Sequence, residues 1–178
     1  MAEWDFQFRV LQADDDRKNF CCGSIELDRF FRQFAGQNQF RHHIGVTYVL
    51  ADHSRIAGFV TVSAGEMVAE TLPANVRRCL PEYPLPIMRI ARLAVDTQFQ
   101  GLGLGKRLLR ASLQLALEMK ALYGCVGVVV DAKPESLAFY KKIGFMPLQV
   151  EAGGLGNRPE PQALFLAIKT IELAMNAS

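Results

Sequence analysis

Several features are scarce in this chain of 178 residues, and each scarcity excludes a class of protein. No apolar run approaches the roughly 20 residues that a membrane-spanning helix needs. The N-terminus carries no apolar stretch of signal-peptide length, so we expect a cytoplasmic protein. The four cysteines include no C-x-x-C pair, and the three histidines lack metal-ligand spacing with other donors. The sequence therefore predicts neither a metal site nor a dithiol redox centre.

Charge of one sign is also scarce, because the net charge is only +2. That value does not by itself indicate nucleic-acid binding, which needs clustered rather than merely positive charge. Hydrophobic residues make up 50% of the chain and charged residues 21%, as in ordinary folded proteins. The length suits one hydrophobic core, so we predict a single domain over residues 1–178.

The hydrophobic pattern predicts strands alternating with helices. A first helix is expected after Ser24, with an apolar face that runs to Phe34, and a second over residues 72–80. A third is expected from the glycines at 101–105 to Gly124, and a fourth from Pro134 to Gly144. Strands are expected at residues 6–11, 46–51, 56–63, 87–95, 126–130 and 164–168. A proline-rich loop is expected over residues 81–86. This order predicts a mixed α/β architecture, a central sheet covered by helices.

A glycine-rich turn stands between the predicted strand at 87–95 and the long helix. Residues 100–105 read Gln-Gly-Leu-Gly-Leu-Gly, and Lys106 and Arg107 follow. Glycine lets the backbone turn tightly and approach a ligand, while the first turn of a helix offers unpaired N–H groups to an anion. The turn therefore suits a pyrophosphate, although a packing turn would also explain the glycines alone. The glycine spacing matches neither a P-loop nor the dinucleotide fingerprint.

The spacing Gln100-x-x-Gly103-x-Gly105 resembles the acetyl-CoA motif of the GNAT acetyltransferase superfamily. Residues 131–145, which end in Phe-Tyr-Lys-Lys-Ile-Gly-Phe, are similar to a second motif of the same superfamily. The resemblance implies a GNAT fold, with a central, mixed and mostly antiparallel sheet flanked by helices on both faces. It also implies acetyl-CoA as co-substrate, no metal, and binding of acetyl-CoA by Leu93, Ala94, Val95, Gln100, Gly101, Leu102, Gly103, Leu104, Gly105, Lys106, Asp131, Ser136 and Phe139.

Tyr140 is the candidate catalytic residue beside this motif. A phenol has an ordinary pKa of about 10 and can protonate the departing thiolate, whereas an amphipathic helix would also accept Tyr140 as a core aromatic. No general base is comparably marked, and Glu66 and Glu70 read more readily as solvated loop acids. An α-amine with a pKa of roughly 7.7–8.0 is partly neutral near neutral pH and needs only water as base.

The N-terminal third of the chain indicates which group of GNAT acetyltransferases the sequence resembles. Residues 20–31, 37–38, 47–49 and 56–63 resemble the GNAT toxins of bacterial toxin–antitoxin pairs. That resemblance implies acetylation of the α-amine of aminoacyl-tRNA, a ribbon-helix-helix antitoxin as partner, and a possible homodimer. The phosphates of tRNA would then meet basic side chains, for which the candidates are Arg77, Arg78, Arg89, Arg92 and Lys142. Solvated surface charge is the alternative for each of them.

Two other functions stay open at this point. One is a metabolic or protein N-acetyltransferase acting on a small amine or peptide, and the other is a non-catalytic CoA-binding module. The segment over residues 151–161 is longer than a direct hairpin needs, so it is either a flap over the substrate or a tolerated insertion.

Overall fold

The computed structural model describes residues 5–149 and 161–177. The strands are β1 (Gln7–Val10), β2 (Val46–Ala51), β3 (Ile56–Met67), β4 (Leu85–Val95), β5 (Gly127–Ala132), β6 (Met146–Pro147) and β7 (Gln162–Ala167). The helices are α1 (Ile25–Arg29), α2 (Ala35–Phe40), α3 (Ala74–Arg77), α4 (Leu104–Leu122), α5 (Leu137–Ile143) and α6 (Ile168–Asn176). A π turn (Phe30–Phe34) joins α1 to α2, and short 3₁₀ turns span Ala69–Thr71, Thr97–Phe99 and Pro134–Ser136.

The strands follow the order β1-β2-β3-β4-β5-β7-β6, and the pairs β1–β2, β2–β3, β5–β7 and β6–β7 are antiparallel. The described residues form two compact units. Unit 1 lies within Met1–Ser63 and Ile90–Gln114, and unit 2 lies within Ala64–Arg89 and Leu115–Ser178. The predicted α/β class with a mixed, helix-flanked sheet is confirmed, and the single domain over residues 1–178 stays a prediction.

Unit 1 is built around aromatic side chains. Phe31, which is fully buried, stacks on Phe59 with ring centroids 4.3 Å apart. Phe20 meets Phe31 and Phe59 edge-on, at 4.7 and 5.4 Å. Each such pair adds about 0.5–1.5 kcal/mol beyond the burial of its area, so this cluster fixes the helical segment against β2 and β3.

The helix predicted after Ser24 contains the π turn, which the sequence analysis did not foresee. A π turn takes up one more residue than an α turn, so the residues after it rotate relative to the core. Ala35 is consequently 1% exposed, whereas Phe34, which we placed on the apolar face, is 38% exposed. Ser24 is the N-cap of α1, with the extended backbone of that position, although its side chain makes no capping hydrogen bond.

Unit 2 packs around β5 and β7. Val128, Val129 and Val130 on the strand predicted at residues 126–130 are each at most 3% exposed, so this strand is buried on both faces. Phe165 on β7 is fully buried and belongs to the same apolar cluster as Val129. No helix within residues 5–149 and 161–177 has the length and apolarity to cross a membrane.

Several predicted bounds need correction. β3 continues to Met67, and the helix expected over residues 72–80 is only the four-residue α3. β4 begins at Leu85, so Pro86 lies in a strand, where its carbonyl accepts a hydrogen bond from the N–H of Val126 at 2.9 Å. β6 was not predicted, because a strand of two residues is too short to show a periodic pattern. α6, which buries only one side chain, was not predicted either. Residues 150–160, and with them nearly all of the segment at 151–161, lie outside the described residues.

The packing of Gly127 yields a prediction about stability. A Cβ at this position would lie 2.5 Å from the carbonyl oxygen of Leu166 and would overlap the ring of Phe165. Gly127→Ala should therefore lower the free energy of unfolding by about 1–3 kcal/mol or more through overpacking, measured by urea denaturation. Gly65→Ala is the control, because its Cβ would meet only the flexible end of Ile87, at 3.3 Å. Equal stability of the two variants would contradict the prediction.

Candidate active site

The glycine turn has the backbone that its sequence predicts. Gly101 and Gly103 have φ angles of +78° and +80°, a left-handed region that side chains other than glycine rarely adopt. A Cβ built at either position would have no neighbour within 4 Å. The turn thus presents bare backbone to open space, which is what a bulky polyphosphate requires for close approach.

The start of α4 supplies the electrostatics of this turn. The first backbone bond at this end joins the N–H of Arg107 to the carbonyl of Gly103 at 3.1 Å, so the N–H groups just before Arg107 have no helical partner. With 19 residues, α4 also has a full dipole that favours negative charge here. Lys106 adds an exposed cation, whereas the guanidinium of Arg107 donates to the carbonyl of Phe6. These features fit the pyrophosphate of acetyl-CoA.

The other residues predicted to bind acetyl-CoA in unit 1 flank the turn. Ala94 is 6% exposed, and Leu93 and Val95 are half-buried at the end of β4. Leu102 is 57% exposed at the tip of the turn. The side-chain amide of Gln100 donates to the carbonyl of Val95 at 2.9 Å, so one of its donors is used inside the protein. Leu104 and Gly105, both half-buried, open α4.

Tyr140 lies in unit 2, on α5, and is 6% exposed. Its ring meets those of Phe139 and Phe145 edge-on, at 5.1 and 5.4 Å. Gly144, with φ of +115°, ends α5 as predicted. Burial among apolar groups raises the pKa of Tyr140 to about 12, because the phenolate would lose its hydration. The residue is therefore a neutral phenol, a proton donor rather than a base, at physiological pH.

Asp131 and Arg89, which we assigned to acetyl-CoA and to tRNA respectively, are paired with each other in unit 2. An Arg89 guanidinium nitrogen lies 2.7 Å from a carboxylate oxygen of Asp131, and the side chains are 37% and 49% exposed. An ion pair this exposed is worth about 0–1 kcal/mol, so a ligand can separate it at little cost. Ser136 precedes α5 without a side-chain capping bond.

The remaining basic candidates differ in their surroundings. Arg92 in unit 1 lies over the ring of Phe30, with its guanidinium carbon 3.9 Å from the ring centroid, and partial burial lowers its pKa. Arg77 and Arg78 in unit 2 are exposed and line a depression of about 370 Å³. Lys142 is exposed on α5.

The structure thus groups the candidates by unit. Unit 1 brings together the end of β4, the glycine turn, the start of α4 and Arg92, and unit 2 joins Asp131 to Arg89. Glu66 and Glu70 are exposed, as expected of solvated acids, but Glu66 lies in β3 and Glu70 in the 3₁₀ turn Ala69–Thr71 rather than in a loop. Residues 5–149 and 161–177 contain no group of three or more His, Cys, Asp or Glu side chains placed to hold a metal ion.

One residue of this region received no role in the sequence analysis. Asp96 follows β4 directly and is 7% exposed, with a carboxylate that accepts a hydrogen bond from the N–H of Gln98 at 3.0 Å. The signal was available, because an aspartate just before a turn is a common capping residue.

Comparison with known proteins decides the family. A family model described as an acetyltransferase (GNAT) domain matches residues 43–147, which is more than half of the chain. The chain belongs to the GNAT family of acetyltransferases. The predicted GNAT fold, N-acetyltransferase activity and acetyl-CoA donor are confirmed.

Individual relatives of this GNAT protein are similar over most of its length. A tRNA-acetylating toxin of Mycobacterium tuberculosis (strain ATCC 25618 / H37Rv) is 32% identical over 140 residues, covering 77% of this chain and 82% of that protein. A structure of AtaT complexed with acetyl-methionyl-tRNAfMet is 26% identical, with a TM-score of 0.83, and covers 96% of this chain and 99% of that one. A structure of AtaTR bound with AcCoA is 28% identical, with a TM-score of 0.77, and covers 96% of this chain and 98% of that one. The resemblance to GNAT toxins is thereby confirmed.

The burial of Tyr140 predicts a pH dependence. Its folded pKa of about 12 lies above the ordinary value of about 10, so the folded state binds a proton that the unfolded state releases between these values. The free energy of unfolding of the wild type should therefore fall relative to that of Tyr140→Phe, by about 1 kcal/mol, as pH rises from about 9 to about 11. Denaturation of both proteins across this range measures the difference. If the free energies of unfolding of the two proteins changed equally with pH, folding would leave the pKa of the phenol unchanged, which would contradict the prediction.

Proposed function

We propose that the glycine turn and its flanks bind acetyl-CoA. In this proposal the backbone N–H groups from Gly101 to Lys106 hold the pyrophosphate, and Leu93, Ala94 and Val95 offer backbone groups to the acetyl and pantetheine parts. Leu102 and Leu104 add apolar contact, and Asp131, Ser136 and Phe139 are further candidates from the family resemblance. The observation that supports this is the bare, left-handed backbone at Gly101 and Gly103 just before α4.

Tyr140 is the general acid of the proposed reaction. Acetyl-CoA supplies a thioester, whose carbonyl carbon forms a bond to the acceptor nitrogen while its bond to sulfur breaks. The departing sulfur takes the phenolic proton of Tyr140, the nitrogen releases a proton to water, and the phenolate regains one from solvent. The neutral state of Tyr140 is compatible with this role, because a buried phenol that is protonated at physiological pH has a proton to donate.

Removing only the phenolic oxygen tests this role. Tyr140→Phe should lower kcat by about 10²–10⁴-fold, the usual contribution of a general acid, with the Kd of acetyl-CoA unchanged. Steady-state kinetics and calorimetric titration measure the two quantities. Tyr123→Phe, which alters a tyrosine that is 82% exposed, should leave both unchanged. Wild-type turnover by Tyr140→Phe would remove Tyr140 from the mechanism.

We propose aminoacyl-tRNA as the acceptor, with the α-amine of the amino acid as the nucleophile. The protein would then be a toxin, because an N-acetylated amino acid cannot accept a growing peptide. The main support is the similarity to a tRNA-acetylating toxin and to AtaT complexed with acetyl-methionyl-tRNAfMet. The cations proposed to meet tRNA phosphates are Arg77, Arg78, Arg89, Arg92 and Lys142. A structure of the AtaT-AtaR complex bound to DNA, 26% identical to this chain, supports an antitoxin partner, for which we propose a ribbon-helix-helix protein.

The acceptor is tested directly with labelled acetyl-CoA and bulk charged tRNA. We expect label to enter the charged tRNA and, after hydrolysis of the ester, to be recovered as an N-acetyl amino acid. Uncharged tRNA should take up none, because it lacks the α-amine, and Tyr140→Phe should transfer little. Free amino acids, peptides and polyamines are offered in parallel reactions. Acetylation of one of these, with charged tRNA untouched, would overturn the toxin proposal and favour a metabolic or protein acetyltransferase.

A further inference from the structure

A buried carboxylate fastens the glycine turn to a distant segment of unit 1. Besides its bond from Gln98, the carboxylate of Asp96 accepts a hydrogen bond from the N–H of Cys21 at 2.9 Å, across 75 residues of sequence. The N–H of Thr97 donates in return to the carbonyl of Cys21 at 2.8 Å. Two bonds in opposite directions thus hold Asp96 and Thr97, which lie just before the glycine turn, to Cys21.

Gln100 makes a second attachment at the next residue of that segment. Its side-chain nitrogen donates to the carbonyl of Cys22 at 3.0 Å as well as to that of Val95. Cys22 is itself anchored, because its N–H donates to the carboxylate of Asp28 at 2.7 Å, and Asp28 on α1 is only 8% exposed. The turn is therefore tied through Cys21 and Cys22 to the helix that packs on the aromatic core.

The glycines make such external ties necessary. Gly101 and Gly103 carry no side chain, and nothing packs where one would be. Glycine loses more conformational freedom on ordering than any other residue, so an untethered turn would spend binding free energy on ordering itself. Asp96 and Gln100 lie on the strand side of the two glycines and restrict them before a ligand arrives.

We infer that Asp96 and Gln100 are positioning residues that pre-order the glycine turn for the pyrophosphate of acetyl-CoA, acting through the backbone of Cys21 and Cys22. The inference rests on the proposed binding of acetyl-CoA by this turn. It also changes the role of Gln100, which the sequence analysis placed among the residues that bind acetyl-CoA. Both hydrogens of its amide are accounted for by backbone carbonyls, and the carboxylate of Asp96 is occupied by two N–H groups.

The test separates binding of acetyl-CoA from turnover. In Asp96→Ala the Kd and KM for acetyl-CoA should rise about tenfold, as expected for the loss of hydrogen bonds to a charged group, while kcat at saturation stays within about twofold. Gln100→Ala should raise both constants about threefold to tenfold. In the double variant the Kd of acetyl-CoA should rise by less than the product of the two single rises, because both side chains order the same turn. Asp96→Asn, which keeps one acceptor oxygen, should recover part of the loss.

Two control variants exclude a general loss of stability. Asp52 caps the β2–β3 turn of the same unit and accepts from the N–H groups of Ser54 and Arg55 at 2.9 and 2.8 Å. Asp52→Ala removes a comparable pair of bonds, so it should lower the melting temperature without changing the Kd of acetyl-CoA. Gln98→Ala alters an exposed glutamine two residues from Gln100 and should change neither. A rise in Kd for Asp52→Ala equal to that for Asp96→Ala would overturn the inference.

A further variant separates this inference from the proposal on which it rests. Gly103→Val forces a branched side chain into a left-handed position and tests the turn itself. An unchanged Kd of acetyl-CoA in Gly103→Val would overturn the binding of acetyl-CoA by the turn. Weak binding by Gly103→Val, together with wild-type binding by Asp96→Ala and Gln100→Ala, would overturn only the positioning role. If Asp96→Ala does not fold, Gln100→Ala carries the test, because its side chain is exposed.

Discussion

The left-handed backbone at Gly101 and Gly103 is the constraint on which the proposed acetyl-CoA turn of this acetyltransferase depends. Only glycine holds this conformation without strain, and the lack of a side chain at Gly101 and Gly103 leaves the free N–H groups at the start of α4 accessible. The same absence of side chains leaves the turn with little packing of its own. Its shape must therefore be set by neighbours, which explains why polar groups such as Asp96 and Gln100 surround a site for an anion.

Tyr140 differs from the glycine turn in its surroundings. Here the surroundings are apolar, with Phe139 and Phe145 against the ring, and their effect is electrostatic. Withholding water from the phenolate raises the pKa of Tyr140 to about 12, which makes the group unsuitable as a base and keeps its proton in place. In the proposed mechanism the glycine turn offers hydrogen bonds to a charged ligand, whereas the apolar surroundings of Tyr140 keep its phenol neutral.

How far the sequence predicted this structure depends on whether each feature is local. β2 and α4, the strand core of β5 and the glycine caps at Gly124 and Gly144 were predictable, because each depends on neighbours in sequence. The π turn was not, since the choice between burying Phe34 and Ala35 is made by packing against a distant sheet. The pairing of Arg89 with Asp131 was missed for the same reason, because 42 residues separate them. The donor motif was recognisable because a strand, turn and helix carry it within one short stretch.

This difference explains why the donor of a GNAT protein is easier to read from sequence than its acceptor. The turn proposed to bind acetyl-CoA acts through its backbone, so its requirements appear in the sequence as glycines at a fixed spacing. An acceptor that carries phosphates is met by side-chain charge, and a guanidinium can reach the same phosphate from many backbone positions. Arg92 illustrates the point, because it depends on the ring of Phe30, 62 positions earlier in the chain, to hold its guanidinium. Under the proposal that Arg92 meets a tRNA phosphate, acceptor recognition depends on a residue pair that folding brings together, and the π turn places one member of that pair.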